Sequence, residues 1–361
     1  MSDLTAHASR GLLANSQVEL TSGIDALYLS AQGTAPPSLF ADLESARAAA
    51  EADSIPVDTT VGGYPVKVQP WAWGKYRYCA LHELARIGFT WSEKLPVVRF
   101  QPTAMALHAL GPQSTILWAE NFLGACGIEA SLHVARLDLH SDWQGIEIRA
   151  NERQNFVSYS NRVALYEVDE ELSGLVFGKR GGALLARIYD KTRQANEKGD
   201  DWWPDVWGAA YDAERKVMRV EFEFSRAGLM EFGVDTPPQA LAKAPELWAY
   251  ATCSWLSLRT PTEDETRSRW PVDDRWKAIQ GSSLAGGCAP ADRIRAGQRE
   301  GELRTLRKLA TGVLSSMAVP LDTDDIGDTL QAAEAELLNY ELVSQRFFAD
   351  RVDEKRRRAR P

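Results

Sequence analysis

Three short stretches place charged and hydroxyl side chains at every second residue. In ALLARIYDK (residues 183–191), Leu184, Ala186 and Ile188 alternate with Leu185, Arg187, Tyr189 and Lys191. In ARLDLHSDW, Leu137 and Leu139 alternate with Arg136, Asp138, His140 and Asp142. In MRVEFEFSR, Val220, Phe222 and Phe224 alternate with Arg219, Glu221, Glu223 and Ser225. Side chains on a strand point to opposite faces in turn, so each stretch reads as a strand with one apolar and one polar side. Alternating charge also arises on half-exposed sheets that do no chemistry. The mixture here is less ordinary: if the strands are neighbours, one hydroxyl nucleophile, several carboxylates and several cations share a face.

That mixture suits phosphodiester transfer. Carboxylates from two strands can hold Mg²⁺ or Mn²⁺, hard cations that take oxygen ligands and polarise a scissile phosphate. Arg187 and Lys191, flanking Tyr189, are expected to lower the pKa of its phenol from about 10 and ready it as a nucleophile. The product would be a phosphotyrosine.

FGKRGGALLARIYDKTRQ, preceded by RLDLHSD and followed by RVEFEFSR, resembles the replication initiation factor family, the Rep_trans-type initiators of rolling-circle plasmids and the related relaxases of integrative elements. The likeness is strongest over residues 131–230. It implies nicking of one DNA strand at an origin, with the tyrosine keeping the 5′ phosphate and releasing a 3′ hydroxyl. Carried over by position, it makes Tyr189 the nucleophile and Asp138 and Glu221 ligands of Mg²⁺ or Mn²⁺. Asp142, His140 or Glu223 would complete the shell, and Arg187 and Lys191 would contact phosphate. The family often has an acid three residues after the lysine; this chain has Gln194. The implied partner is origin DNA, single-stranded or extruded as a hairpin, with a host helicase as a further partner and homodimerisation open. The alternative is a protein of the same descent that binds an origin or operator without cutting it.

The elements that must position these residues follow from pattern. GIDALYLSA (23–31) reads as a strand, SLFADLESARAAAEAD as a helix, TTVGGYPVKVQPW as two short strands and VVRFQ as another. TILWAENFLGACG reads as a helix stopped by glycine. SLHVARLDLHSDWQGIEIRA reads as two strands turning near residues 143–145, and GLVFG and ALLARIYDK as two joined through KRGG. Residues 194–212 read as a polar, tryptophan-bearing loop. Beyond residue 236 the chain is helix-like. The expected fold is α+β: a central, mainly antiparallel sheet with helices on one face and a helical C-terminal region. The expected divisions are a mobile N-terminus (1–15), a catalytic domain (16–235), a helical region (236–354) and a basic tail (355–361).

Composition sets limits on partners. The formal charge of −9 argues against a surface that binds nucleic acid everywhere, since affinity for a phosphate backbone comes from neutralising it. Local basic features remain: the KRRRARP tail, and Arg304, Arg307 and Lys308 on a C-terminal helix. Four scattered cysteines form no CxxC pair and suggest neither a zinc site nor a disulfide framework. No long apolar run or signal-like start is present, so a cytoplasmic protein without membrane contact is expected. Trp202, Trp203 and Trp207 suit either stacking on unpaired bases or covering an edge of the core.

Overall fold

The computed structural model describes residues 17–168, 171–292, 310–311, 313–344, 347–350 and 352–353. The first compact unit, Met1–Ile294, is built on strands β1 (Val18–Thr34), β2 (Val57–Val61), β3 (Tyr64–Val68), β4 (Tyr78–Leu81), β5 (Ala85–Phe89), β6 (Val98–Pro102), β7 (Glu129–Gln144), β8 (Phe156–Ser158), β9 (Val163–Val168), β10 (Glu171–Phe177), β11 (Leu184–Asp190), β12 (Met218–Ser225) and β13 (Leu256–Leu258). Eleven of them form one sheet in the order β2-β3-β4-β5-β6-β1-β7-β12-β11-β10-β9. Every pairing is antiparallel. A small second sheet pairs β8 with β13.

The apolar residues of the alternating strands face one core. Leu137, Leu139, Ala186, Ile188, Val220, Phe222 and Phe224 are completely buried there. The long helices cover this side. They are α1 (Pro37–Asp53), which contributes Leu39 and Leu43, then, after the short α2 (Ala104–Leu110), α3 (Pro112–Ala125), and the helix Pro237–Tyr250. Further along come α4 (Lys191–Lys198), α5 (Trp203–Trp207), α6 (Arg226–Met230), α7 (Pro237–Tyr250) and α8 (Asp274–Gln280). Trp248 of α7 meets Phe222 edge-on with ring centroids 5.4 Å apart, and Phe122 of α3 meets Phe100 at 5.7 Å. Emptying the Phe222 site to alanine would cost about 3–5 kcal/mol. Close approach also fixes Gly228 at the start of α6: a Cβ there would lie 2.1 Å from the Ala183 carbonyl.

Three readings from pattern change. The stretch after Trp143 is not a second strand: β7 runs unbroken to Gln144, and Ile146 and Ile148 are buried without joining a ladder. Residues 194–212 are not simply loop, since α4 and α5 lie there. The boundary expected at residue 236 falls inside the first unit, where Trp248 donates to the Ile279 carbonyl at 3.1 Å and Trp276 to Thr252 at 2.9 Å, tying α7 and α8 into its core. The second unit, Arg295–Pro361, contains α9 (Ile326–Ser344). The expected mobile N-terminus, Arg304, Arg307 and Lys308, and the basic tail lie outside the described residues. Among those described, no helix is long and apolar enough to cross a membrane.

Candidate active site on the polar face of the sheet

The three charged strands are neighbours, in the order β7-β12-β11. Their register lines the polar residues up in rows. Arg187 lies across from Glu221 and Glu221 from His140; Tyr189 lies across from Arg219 and Arg219 from Asp142; Glu223 lies across from Asp138. Nucleophile, carboxylates and cations therefore share one face, as their spacing requires.

One end of this face opens into a cleft of about 630 Å³, lined by Tyr189, Glu221, Arg187, Asp138, Arg136 and Asp25 among others. Half-buried Tyr189 donates its hydroxyl to Glu221 Oε2 at 2.8 Å. Arg187 donates to Glu221 Oε1 at 2.6 Å and to Glu223. Arg136 donates to Asp138 Oδ1 at 2.7 Å and pairs with Glu223 at 2.9 Å. Three carboxylates here share two guanidiniums. Burial, with Glu221 and Glu223 close by, pushes the Asp138 carboxyl up to about 8 despite the Arg136 fork. Burial also holds the Tyr189 phenol well above its ordinary value, and Glu221 adds to that.

This last point corrects the expectation that flanking cations lower the phenol's pKa. Arg187 is committed to Glu221 and Glu223. Lys191 is not on the strand at all: it is the first residue of α4, capped by Asp190, whose side chain accepts from the Arg193 amide at 2.9 Å. Its ammonium is buried, donates to Gln194 Oε1 at 2.6 Å and sits 4.1 Å from the Trp203 ring centroid. Burial, then the Arg219 charge, brings its pKa down to about 8. The neutral Gln194 thus fixes the lysine head group by a hydrogen bond.

The other end of the face is roofed. Fully buried Arg219 forks onto Asp142 at 2.6 and 2.8 Å and reaches Asp25 Oδ1 at 2.6 Å. Trp207 donates to Asp142 at 2.8 Å, and the Arg219 guanidinium lies 4.3 Å from the Trp203 ring centroid. Trp203 and Trp207 are buried as cover over this end; half-buried Trp202 stacks on Trp203 at 4.4 Å. Against the cost of burial, Arg219 holds the Asp142 carboxyl below its usual range.

The residues expected as metal ligands divide accordingly. Arg187 Nη1 lies 2.6 Å from Glu221 and 3.8 Å from Asp138, in the place where a cation joining the two carboxylates would sit. Asp142 is spent on Arg219. Among the described residues, His140 alone of the expected set belongs to a group whose ligand atoms converge: Asp25, His108 and His140, all within 4.8 Å of one another. Burial, then the charge of Arg219, lowers the His140 pKa to about 3 and keeps the ring neutral.

Pattern reading missed Asp25 and His108. Strict alternation from Leu27 and Leu29 would send Asp25 into the core, but a β-bulge between Ile24 and Ala26 turns it to the polar face. His108, the lone polar residue of AMALHAL, comes from a separate helix.

No family model matches the chain, and no curated protein matches it. Among solved structures it is similar to the rolling circle replication initiator protein from Geobacillus stearothermophilus. The two are 13% identical over 77% of this chain and 100% of that one, with a TM-score of 0.44.

Proposed function

We propose that the chain nicks single-stranded DNA and retains the 5′ phosphate on Tyr189. What supports this most is the hydrogen bond from the Tyr189 hydroxyl to Glu221 at 2.8 Å inside an open cleft. It joins a nucleophile to a proton acceptor at reacting distance. The ordered motifs RLDLHSD, ARIYDK and RVEFEFSR agree with it.

In this reading Tyr189 Oη attacks the scissile phosphorus and a phenolic ester forms. The bond from phosphorus to the 3′ oxygen breaks, and that oxygen leaves as a hydroxyl with a proton from solvent. The phenolic proton passes to Glu221. Its acceptor is needed, because burial leaves the resting phenol protonated. Arg187 holds Glu221 by its other oxygen, so the free one stays aimed at the phenol. Strand transfer is the reverse attack by a 3′ hydroxyl. A divalent ion held beside the cleft would supply charge against the developing oxyanion.

A second reading, a DNA-binding protein that does not cut, is favoured by one observation: neither cation flanking the tyrosine is left to act on it. Incubating the full chain with Mn²⁺ and a pool of labelled single-stranded and hairpin oligonucleotides separates the two. The nicking reading expects a denaturation-resistant protein-DNA adduct whose peptide maps to Tyr189. Binding with no adduct selects the second reading.

A further inference from the structure

We propose that Asp25, His108 and His140 form a site for one divalent transition-metal ion of the Mn²⁺ to Zn²⁺ series, in preference to Mg²⁺, where the roofed end of the polar face meets the cleft. The proposal deepens the nicking reading by giving its metal dependence a place, while metal binding itself stands on geometry.

The three side chains come from separate elements, β1, α2 and β7, and still bring one ligand atom each to a common point. His108 Nε2 and Asp25 Oδ1 are 3.4 Å apart. Metal–nitrogen bonds of about 2.1 Å set tetrahedral ligand atoms about 3.4 Å apart, the spacing that His108 and Asp25 already have. His140 is the independent sign. It is completely buried, and neither of its ring nitrogens has a hydrogen-bond partner. Leaving such a group unsatisfied is costly to the fold, and a bound ion offsets that cost. Gly23 stands across the ladder from His140 and brings no side chain, and a Cβ built on it would meet nothing within 4 Å.

Asp25 and Asp142 face two cations, Arg219 by hydrogen bonds and Lys191 at longer range, so the protein groups around the three ligands are balanced before an ion binds. Arg219 engages Asp25 through Oδ1, and no described hydrogen bond engages Oδ2, so the carboxylate can ligate while its orientation stays fixed. Two imidazoles with one carboxylate suit borderline ions, whereas Mg²⁺ prefers an all-oxygen shell. Three protein ligands leave positions open for water or a phosphate oxygen. Asp25 lines the same cleft as Tyr189, so an oxygen bound there lies on the nucleophile's side of the sheet.

The test uses the full chain stripped with chelator and titrated with MnCl₂, free Mn²⁺ being read by its electron paramagnetic resonance signal. The expected result is one ion per chain, roughly tenfold or more weaker in His108→Asn and in His140→Asn, and unchanged in His133→Asn and Tyr189→Phe. Circular dichroism establishes folding of each variant. Should either site variant unfold, the Co²⁺ spectrum of the unaltered chain decides: strong visible bands of nitrogen ligation support the site, and the weak spectrum of the aquo ion overturns it. Unchanged Mn²⁺ binding by both folded variants, or equal displacement by Mg²⁺, also overturns it. Stoichiometric binding with no adduct on any DNA keeps the site and removes the nicking reading. Adduct formation without specific Mn²⁺ binding does the reverse.

Discussion

Asp138 and Asp142 lie four residues apart on β7, on the same face of the same sheet, and their environments are opposite. Asp142 takes two arms of the Arg219 fork, whose third reaches Asp25, and it has the Lys191 charge nearby and a further donor in Trp207; Arg219 holds its carboxyl down. Asp138 belongs to three acids served by two arginines, and burial pushes it up to about 8. The strand pattern is the same in both rows; the ratio of cations to carboxylates, and the cover above them, differ. At the roofed end Asp142 is fully partnered under Trp203 and Trp207, while His140 keeps both ring nitrogens without a hydrogen bond. The cleft end keeps an excess of carboxylate beside a nucleophile, and that imbalance is what chemistry can use.

This contrast can be broken in four ways, in decreasing size of effect. Tyr189→Phe removes the nucleophile from the cleft end and should take adduct formation below detection, a loss of about 10³ or more, while binding to labelled oligonucleotide and the melting temperature hold. A normal adduct yield in that variant would move the chemistry elsewhere. Glu221→Gln keeps the shape and loses the proton acceptor. The single-turnover rate of adduct formation should fall by about 10² to 10⁴; a rate within threefold of the parent would mean that solvent takes the phenolic proton.

Arg219→Met strikes the roofed end. It leaves Asp142 charged and buried without its partner, which should cost about 3–5 kcal/mol in urea unfolding. A cost under 1 kcal/mol would show that end to be less sealed than its burial indicates. The smallest effect is on pH dependence. The folded Asp138 carboxyl keeps a proton up to about pH 8, whereas the unfolded one loses it near 3.9. Folded chains therefore hold the extra proton in that window, and this residue's contribution to stability declines as pH rises from about 4 to 8. Asp142, with its lowered pKa, contributes in the other sense, its stabilisation being present above about 4 and lost in acid. Asp138→Asn should flatten the fall in melting temperature between pH 5 and 8, with the acid limb retained. An unchanged slope would place the excess proton on another group.

Much of the cleft was legible because it depends on local period. The faces of β7, β11 and β12 follow from alternation, and their adjacency brings Tyr189, Glu221, Arg187, Asp138 and Glu223 together as expected. The roofed end was much less legible, because its parts arrive from elements without a shared period. Asp25 is delivered by a bulge that breaks alternation, His108 by a helix otherwise apolar, and the tryptophans by a short helix in a stretch too polar to look structured. Lys191 was misplaced by extending the strand one residue too far. The signal was there in Asp190, a good helix N-cap, with Gly199 closing the helix in the left-handed conformation.

The central pairing of β1 with β7 governs when these residues meet. Residues 35–128 separate the two strands, although their ladder runs from Val18 against Gln144 to Thr34 against Glu129. Contacts so distant along the chain form late and slowly, since loop closure precedes any gain from them. During synthesis β1 must wait for β7, and β7 in turn for β12 and β11, before Asp25, Glu221 and Tyr189 face one cleft. Chains made only as far as β7 therefore carry no assembled centre, which forms once β11 and β12, the latter ending at Ser225, have joined the ladder.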